Sequence, residues 1–317
     1  MKGVEIVEDQ AYFSGSTAEL QEALTRGVLD RCGSLVVERK LTALPPEIGR
    51  LKKLRELILD TDTIQTIDAG LFNCAGLVKI VVLSNQLKAL PAGGWAKLKS
   101  LEQLVLTTSN ALRALPDDIG DAPRLGGDFD LTALTKLAPL PPSFGRLAAV
   151  TLLRLPPGLL APDPIAGMTG LRELGLRGVD HLPEDLGRAT DLRFLDITEC
   201  PITALPASIG GARLLHTLAL ARTKLTALPD SIGELSALRD LDLEATPIEA
   251  LPESIGQVPL QRLRLQETAI TRLPDSLATP DGPAGDLRIF LPREHRDAIE
   301  ASSAAVLRAL GSRARFE

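Results

Sequence analysis

The sequence predicts an α/β repeat fold: a curved, horseshoe-shaped solenoid with a parallel inner β-sheet and a helical cap at each end. In a chain of 317 residues, leucines return at a nearly fixed interval, most regularly at Leu192, Leu215, Leu238 and Leu260. A fixed period of this length is typical of stacked repeat arrays. Aromatic residues make up only 3% of the chain, so we expect aliphatic side chains to fill one narrow, continuous core.

Each repeat predicts a short strand followed by a tight outer turn. Leu218 and Leu220 alternate with small or polar residues, which is the period-2 pattern of a strand with one buried face. The segment from Pro229 to Gly233 is too short for a long helix, so we expect a 3₁₀ or irregular turn there. Gly233 is expected to end that turn in a left-handed conformation. Such short strands must pair with their neighbours to be stable.

The N-terminal residues predict a cap on the first open end of the core. Residues 1–15 lack the repeat pattern and are expected to be loosely ordered. Ser16 and Glu19 have the spacing of a capping box, and leucines at helical spacing follow, which predicts an amphipathic helix over roughly 17–31. Together these residues form the predicted N-terminal cap, 1–33, because terminal repeats of a solenoid need an atypical cap.

About eleven repeats of about 23 residues are predicted over 34–282. Departures from the pattern cluster between about 107 and 182. They include an extra residue near Ser109, the same in the next repeat, and a proline-rich run at 156–164. Such departures occur at functional or strained sites, although neutral drift in loops explains them as well.

The last residues, 283–317, predict a C-terminal cap. A final strand ends at Pro292, and apolar residues at helical spacing follow until Gly311. Proline suits the beginning of a helical segment and glycine its end. We therefore expect one strand and one helix in this cap.

The residues of the repeat carry a family resemblance. The pattern L-x-x-L-x-[LI]-x-x-[TC]-x-[LI]-x-x-L-P-x-x-[IL]-G resembles that of leucine-rich repeat proteins. The L-P-x-x-I-G repeats, the Ala/Arg/Pro-rich usage and the stretch L-R-I-F-L-P-R-E-H at 287–295 resemble the repeat domain of plant-pathogen type III effectors of the XopL kind. The L-P-x-x-I-G unit is also similar to intracellular Ras-scaffold and plant repeat proteins. Some such effectors attach an E3 ubiquitin ligase domain after the repeats. We expect no such domain after the predicted cap here, so the resemblance implies the recognition half alone.

Composition argues against several partner classes and compartments. The net charge is -6 and the pI about 5.3, without a basic stripe, so nucleic acid is not expected as a partner. No run approaches 18 apolar residues, so membrane insertion is not expected.

Cys32, Cys74 and Cys200 are far apart, which argues against a disulfide framework or zinc site and favours a reducing compartment. The acidic N-terminus lacks a secretory signal pattern, so we expect a soluble monomer in the bacterial cytoplasm or secreted into a host cell cytoplasm.

Catalytic chemistry is not expected. The three histidines are dispersed, no phosphate-binding glycine loop occurs, and an open sheet offers no pocket to raise a carboxylate pKa. Cys200 occupies the position that Thr223 and Thr246 hold in later repeats, which predicts a buried thiol that donates a weak hydrogen bond. We therefore predict no catalytic residue, no metal and no cofactor.

Partner-binding residues are expected on the concave face, where side chains alternate with the buried leucines. The candidates are Ile58, Val81, Leu83, Val105, Asp128, Asp130, Arg154, Arg177 and Phe194. The four aliphatic candidates form an apolar stripe, which often marks a partner site, although β-propensity also favours such residues in strands. Phe194, expected near Arg154 and Arg177, is of a residue type common in interface hot spots, although single exposed phenylalanines also occur without function.

Charged residues on the same face divide into two groups. Asp240 and Asp242 are expected to form cross-strand ion pairs with arginines of the next repeat, Arg262 and Arg264. Asp128 and Asp130, in contrast, lack an obvious partner in the sequence.

Three functions remain open at the level of sequence. The first is a protein-binding module, acting as a bacterial effector on a host protein. The second is the substrate-recognition domain of an E3 ubiquitin ligase whose catalytic domain is not in this chain. The third is a bacterial scaffold that is not secreted.

Overall fold

A computed structural model describes residues 3–38, 40–107, 110–160, 167–278 and 287–317. The chain divides into two compact units, Met1–Pro156 and Pro157–Glu317, which we call the N-terminal half and the C-terminal half. None of the described helices is long and apolar enough to span a bilayer.

The N-terminal half is a mainly parallel β structure with one α-helix. Its described elements are β1 (Val4–Val7), β2 (Gln10–Phe13), α1 (Thr17–Thr25), β3 (Ser34–Glu38), β4 (Ala43–Leu44), β5 (Glu56–Asp60), β6 (Thr66–Ile67), β7 (Lys79–Leu83), β8 (Gln103–Thr107), β9 (Gly126–Asp130) and β10 (Ala149–Arg154). β1 pairs antiparallel with β2, and β2, β3, β5, β7 and β8 then lie side by side in parallel. β9 pairs with β10 and the short β4 with β6, both in parallel.

Residues 4–7 and 10–13 form strands, so the prediction of a loosely ordered segment over 1–15 is wrong for its described part. β1 and β2 form a hairpin, and Ala11 and Phe13 of β2 are buried. The cause is an interaction between distant segments, because β2 gains hydrogen bonds and a contact with the core by pairing with β3. The capping box is present, with Ser16 N donating to Glu19 Oε2 at 2.7 Å. Helix α1 is shorter than predicted because Gly27 follows it with a φ of 71°, a left-handed conformation that ends helices.

The C-terminal half is a parallel sheet with two short helices near its end. Its described elements are β11 (Glu173–Gly175), β12 (Phe194–Asp196), β13 (Thr217–Ala219), β14 (Asp240–Asp242), β15 (Arg262–Arg264), β16 (Arg288–Leu291), α2 (Arg296–Ser302), α3 (Ala304–Leu310) and β17 (Ala314–Phe316). From β11 to β17 each strand pairs in parallel with the next. Leu218, Leu241 and Leu263 occupy the same register and are buried, so the repeating leucines line one core.

The outer connections are 3₁₀ turns rather than long helices, as the sequence predicts. They span Pro46–Arg50, Ala69–Asn73, Trp95–Lys97, Ile119–Asp121, Pro142–Arg146, Leu186–Arg188, Ala207–Gly211, Asp230–Glu234, Glu253–Gln257 and Asp275–Ala278. The prediction of a left-handed Gly233 is wrong, because its φ is not positive. Its role is close packing: a Cβ on Gly233 would lie 2.8 Å from the backbone oxygen of Ser254 in the next repeat.

The left-handed residues of the regular repeats lie instead just after each strand. Glu199, Arg222, Ala245 and Glu267 have φ values of 63°, 58°, 55° and 55°. Left-handed backbone is unfavourable for residues with a Cβ, so another interaction must stabilise it. Hydrogen bonds between repeats do this: Arg222 N donates to Glu244 O at 2.8 Å, and Ala245 N donates to Gln266 O at 2.9 Å.

Residues 287–317 differ in detail from the prediction of one strand and one helix, and their role as a cap stays a prediction. After β16 the chain forms two short helices, α2 and α3, whose Ile299, Val306 and Leu310 are buried. Gly311, with a φ of 56°, follows α3. The chain then adds β17, which the sequence did not predict and which pairs with β16. The boundary predicted at 282 falls within residues 279–286, outside the described residues, and the domain boundaries and horseshoe curvature stay predictions.

Candidate functional site

The sheet of the N-terminal half has one face on the leucine core and one face away from it, which we call the open face. In β5, Leu57 and Leu59 are fully buried whereas Ile58 between them is half-buried. Alternation along a strand therefore sends Ile58 to the open face. The same alternation in β7 places Val81 and Leu83 there, in agreement with the predicted strand register.

An apolar row crosses this open face. Ile58, Val81 and Val105 lie in direct register on β5, β7 and β8, and Val36 of β3 lies opposite Ile58. Val36 is only 8% exposed and belongs to the core. Ile58, Val81 and Val105 are half-buried, and because adjacent strands are about 4.8 Å apart they form an apolar surface about 10 Å long. The structure thus brings three of the four predicted stripe residues into contact distance, while Leu83 lies in a neighbouring row between Asp60 and Thr107.

Acidic residues border the apolar row on one side. Glu38 and Asp60 are exposed neighbours in register at the ends of β3 and β5. With Asp62 they line a cleft of about 500 Å³, which also contains Lys40 and two threonines. On the other side of the row, Lys79 pairs with Glu56 at 3.1 Å. The apolar row is therefore bordered by a net negative charge on one side and by a neutral ion pair on the other.

The strand ladder of the N-terminal half is interrupted between β8 and β9. Gly126 N of β9 donates to Glu102 O, just before β8, at 3.0 Å, and the two strands themselves do not pair. The two strands border a cleft of about 330 Å³, lined by Gln103, Leu104, Val105, Gly126, Gly127 and Asp128. Gly127 has a φ of 72°, which departs from the negative φ of regular strands. The extra residue predicted near Ser109 falls on residues 108–109, which are outside the described residues, as is the part 161–164 of the predicted irregular run 156–164.

Asp128 and Asp130 have partners, so the prediction that they lack them is wrong. Thr151 Oγ1 donates to Asp128 Oδ1 at 3.0 Å, and Thr132 N donates to Asp130 Oδ1 at 3.1 Å. Arg154 Nη1 lies 3.8 Å from Asp130 Oδ2. Thr151 is at the place where the β9–β10 register shifts. That irregularity, invisible in the sequence period, puts its hydroxyl next to Asp128.

Arg177 and Phe194 lie on the open face of the C-terminal half. Arg177 Nη2 donates to Asp196 Oδ2 at 2.6 Å, so its charge is already neutralised. Burial acts to raise the pKa of Asp196, but hydrogen bonds from Arg177 and Thr198 outweigh it and hold that pKa below its usual 3.8. Phe194 is half-buried, with Glu173 and Thr217 on either side in register.

The predicted cross-strand ion pairs are present on the same face. Arg264 Nη1 lies 2.8 Å from Asp242 Oδ2, and Arg262 Nε lies 3.6 Å from Asp240 Oδ1. These side chains are between one-fifth and about one-half exposed, so the pairs contribute little to stability. They do, however, pair the carboxylates of Asp240 and Asp242 on β14 with arginines.

Sequence reasoning missed three residues that extend this face beyond β15. Arg288 and Phe290 on β16, and Arg315 on β17, lie in the rows that begin with Arg262 and Arg264. The alternation of Leu287, Ile289 and Leu291 with Arg288 and Phe290 was a signal that could have located two of them.

The three thiols lie in the core. Cys32, Cys74 and Cys200 are buried and free. Cys200 Sγ donates to Leu176 O at 3.5 Å, as predicted from its place in the threonine series. Burial raises the pKa of Cys200, and it raises the pKa of Cys74 to about 11. Among the described residues, no group of three or more His, Cys, Asp or Glu side chains has the arrangement of a metal site.

Comparison with known proteins places this geometry among solved repeat structures. No family model matches the sequence, and no curated protein matches it. An internalin from Listeria monocytogenes covers 98% of this chain and 87% of its own, at 17% identity and a TM-score of 0.55. The leucine-rich repeat domain of APL1B covers 93% of this chain and 84% of its own, at 16% identity and a TM-score of 0.57. The chain has the leucine-rich repeat fold.

A third leucine-rich repeat neighbour is longer than this chain. A chain of the Drosophila Toll–Spätzle complex has 17% identity and a TM-score of 0.57, and covers 83% of this chain, which spans 47% of that protein's length. At these identities the leucine-rich repeat fold is what the neighbours share with the chain. The narrower resemblance to type III effectors stays a prediction.

Proposed function

We propose that the chain is a protein-binding module whose partner lies on the open face of the N-terminal half. The observation that carries this proposal is the direct register of Ile58, Val81 and Val105, three aliphatic side chains on the face turned away from the core. A partner that covers the row removes its apolar area from water, which is favourable by about 25 cal/mol per Å². A neighbour of the same fold is a chain of a complex, the Toll–Spätzle complex.

The charges around the row indicate the character of the partner's surface. Glu38, Asp60 and Asp62 border the row on one side, whereas Lys79 on the other side is paired with Glu56. Complementary charges steer association and suppress wrong partners. A partner with an apolar strip bordered by lysines or arginines therefore suits this face.

Binding without catalysis is the simpler role for this site. Among the carboxylates of the described residues, those with shifted pKa values are Asp118, Asp180, Asp196 and Glu253, and all four pKa values are lowered. A general acid at neutral pH needs the opposite shift. The threonine and arginine contacts of Asp128 and Asp130 likewise support a structural role for those carboxylates.

Two aspartate substitutions test the apolar row. A partner is first identified by capture from a candidate host lysate, and its affinity for the purified chain is then measured by biolayer interferometry. Ile58→Asp and Val81→Asp should each weaken binding about tenfold or more, since each puts a charge into a dry contact. Thr217→Asp is the matched control, because Thr217 is a half-buried open-face residue of the C-terminal half.

Circular dichroism and thermal melting establish that these variants remain folded. Unchanged affinity in folded Ile58→Asp, Val81→Asp and Phe194→Ala variants would place the partner elsewhere, on the outer turns or the 156–164 segment.

For the cellular role, we propose a bacterial effector that acts on a host protein. The support is the resemblance of the repeats and of residues 287–295 to effectors of the XopL kind. A secretion-reporter fusion tests it, since an effector should reach the host cytoplasm and a non-secreted bacterial scaffold should not. The remaining alternative is the substrate-recognition domain of an E3 ligase. Incubation with ubiquitin, E1 and E2 tests for ligase activity, because ubiquitin chain formation by these residues would contradict a binding-only role.

A further inference from the structure

The open face of the C-terminal half carries a cluster of arginines around one aromatic ring. Arg262 of β15 lies directly opposite Arg288 of β16, and Arg264 lies opposite Phe290, which in turn lies opposite Arg315 of β17. Residues of β16 between them are buried, so alternation keeps these side chains on one face. We call these five residues the arginine patch.

In the described part of the chain, the arginine patch has carboxylate partners on one side. Asp240 and Asp242 of β14 pair with the two arginines of β15, at 3.6 and 2.8 Å. Arg288 and Arg315 are exposed, and in the described part of the chain neither side chain has an ion pair or hydrogen bond. Two guanidinium groups, each with five donors in a planar fork, are therefore available to a ligand.

The placement of like charges supports a ligand at this position. Arg262 and Arg288 lie directly opposite each other on neighbouring strands, and like charges in such pairs are destabilising. An anion between them would turn this repulsion into attraction. Phe290 is half-buried between Arg264 and Arg315, and arginine and aromatic residues are the types that dominate interface hot spots.

We propose that the arginine patch binds an acidic segment of a partner protein. Aspartate or glutamate carboxylates accept hydrogen bonds from Arg288 and Arg315, an arrangement in which guanidinium groups bind in bidentate fashion. An apolar side chain of the same segment packs on Phe290. This inference deepens the proposed function, because it assigns a second contact surface and its ligand chemistry to the same binding module.

A polypeptide suits the patch better than a nucleic acid does. Asp240 and Asp242 lie on the strand next to the patch, where they would repel a continuous phosphate backbone. A peptide can place its carboxylates on Arg288 and Arg315 and present neutral residues elsewhere. The net charge of -6 also disfavours general attraction of polyanions.

A short acidic peptide tests the proposal on the full chain. Fluorescence anisotropy is measured with labelled GSEELEEGS, with the basic peptide GSKKLKKGS, and with a single-stranded DNA of nine nucleotides. The acidic peptide should bind, more weakly as salt is raised. The double variant Arg288→Glu/Arg315→Glu should lose about tenfold or more in affinity, and Phe290→Ala should lose several-fold.

Arg213→Glu is the matched charge reversal, because Arg213 is exposed but lies outside the strands, and it should retain affinity within about twofold. If the double glutamate variant does not fold, Arg288→Gln/Arg315→Gln is used with the same expectation. Failure of the acidic peptide to bind, equal affinity in the folded double variant, or tighter binding of the DNA would each overturn the proposal. Ile58→Asp should leave peptide affinity unchanged, so loss of the lysate partner in that variant reports on the apolar row alone.

Discussion

Gly210 packs so closely on Ser231 of the next repeat that a Cβ at Gly210 would lie 2.6 Å from the Ser231 backbone oxygen. The same relationship recurs between Gly233 and Ser254 and between Gly256 and Ser276, where that distance would be 2.8 and 2.7 Å. The glycine of each L-P-x-x-I-G turn is thus required by the neighbouring repeat. Adjacent outer turns approach each other only because this position has no side chain.

Gly210→Ala should lower the free energy of unfolding by about 1–3 kcal/mol, because the added methyl overpacks a contact with rigid backbone. Gly76→Ala is the control, since its nearest heavy atom would be 3.5 Å away, an ordinary contact. Urea denaturation of both variants checks this. Equal effects would show that the glycine serves backbone freedom rather than packing between turns.

Leu218→Ala and Leu241→Ala should each cost about 2–5 kcal/mol of stability, because both leucines are buried in the same register of the core and leave a cavity. Thr217→Ala, on the open face, should stay within about 0.5 kcal/mol. Denaturant melts of the three variants test the strand alternation. A loss in Thr217→Ala as large as in Leu218→Ala would mean that the assigned faces are reversed.

Arg177→Gln should destabilise the chain at neutral pH and not at strongly acidic pH. The folded-state pKa of Asp196 lies below its usual 3.8, so its pairing stabilises above that value, and the stabilisation is lost as the pH falls through the folded pKa. Melts of wild type and variant at pH 7 and pH 2 measure the difference, which should shrink at the lower pH. Arg222→Gln, in an exposed pair with Glu199, should change stability by less than about 0.5 kcal/mol at either pH.

The thiols should be unreactive in the folded chain. Burial raises the pKa of Cys32, Cys74 and Cys200 and removes them from solvent, and only the thiolate reacts. Ellman's reagent at pH 8 should therefore titrate these thiols only after denaturant is added. Rapid labelling of the native protein would contradict the burial of at least one of them.

Local and periodic features of the fold were predictable from sequence. The alternation in residues 215–220 places Leu218 in the core and Thr217 on the open face, and Ser16 with Glu19 marks the start of α1. Predictions failed where distant segments decide the outcome. β1 and β2 are strands because they pair with each other and β2 pairs with β3, and β17 is a strand because it pairs with β16. The sequence of a short segment does not indicate such a distant partner. The roles of the candidate site residues stay predictions, although their placement on the open face follows from alternation.

By itself, the sequence determined the period, the buried leucines and the face that each strand residue occupies, because these depend on spacing along one chain. Where the repeat pattern breaks or ends, only the tertiary structure decided which residues meet across strands. It gave Asp128 a threonine partner through a register shift at Thr151. It also brought Arg315 beside Phe290 by adding β17 to the sheet. These contacts depend on pairing between strands that are far apart in the chain. A strand gains the hydrogen bonds and side-chain contacts of pairing only when its partner strand lies next to it, so local sequence does not reveal them.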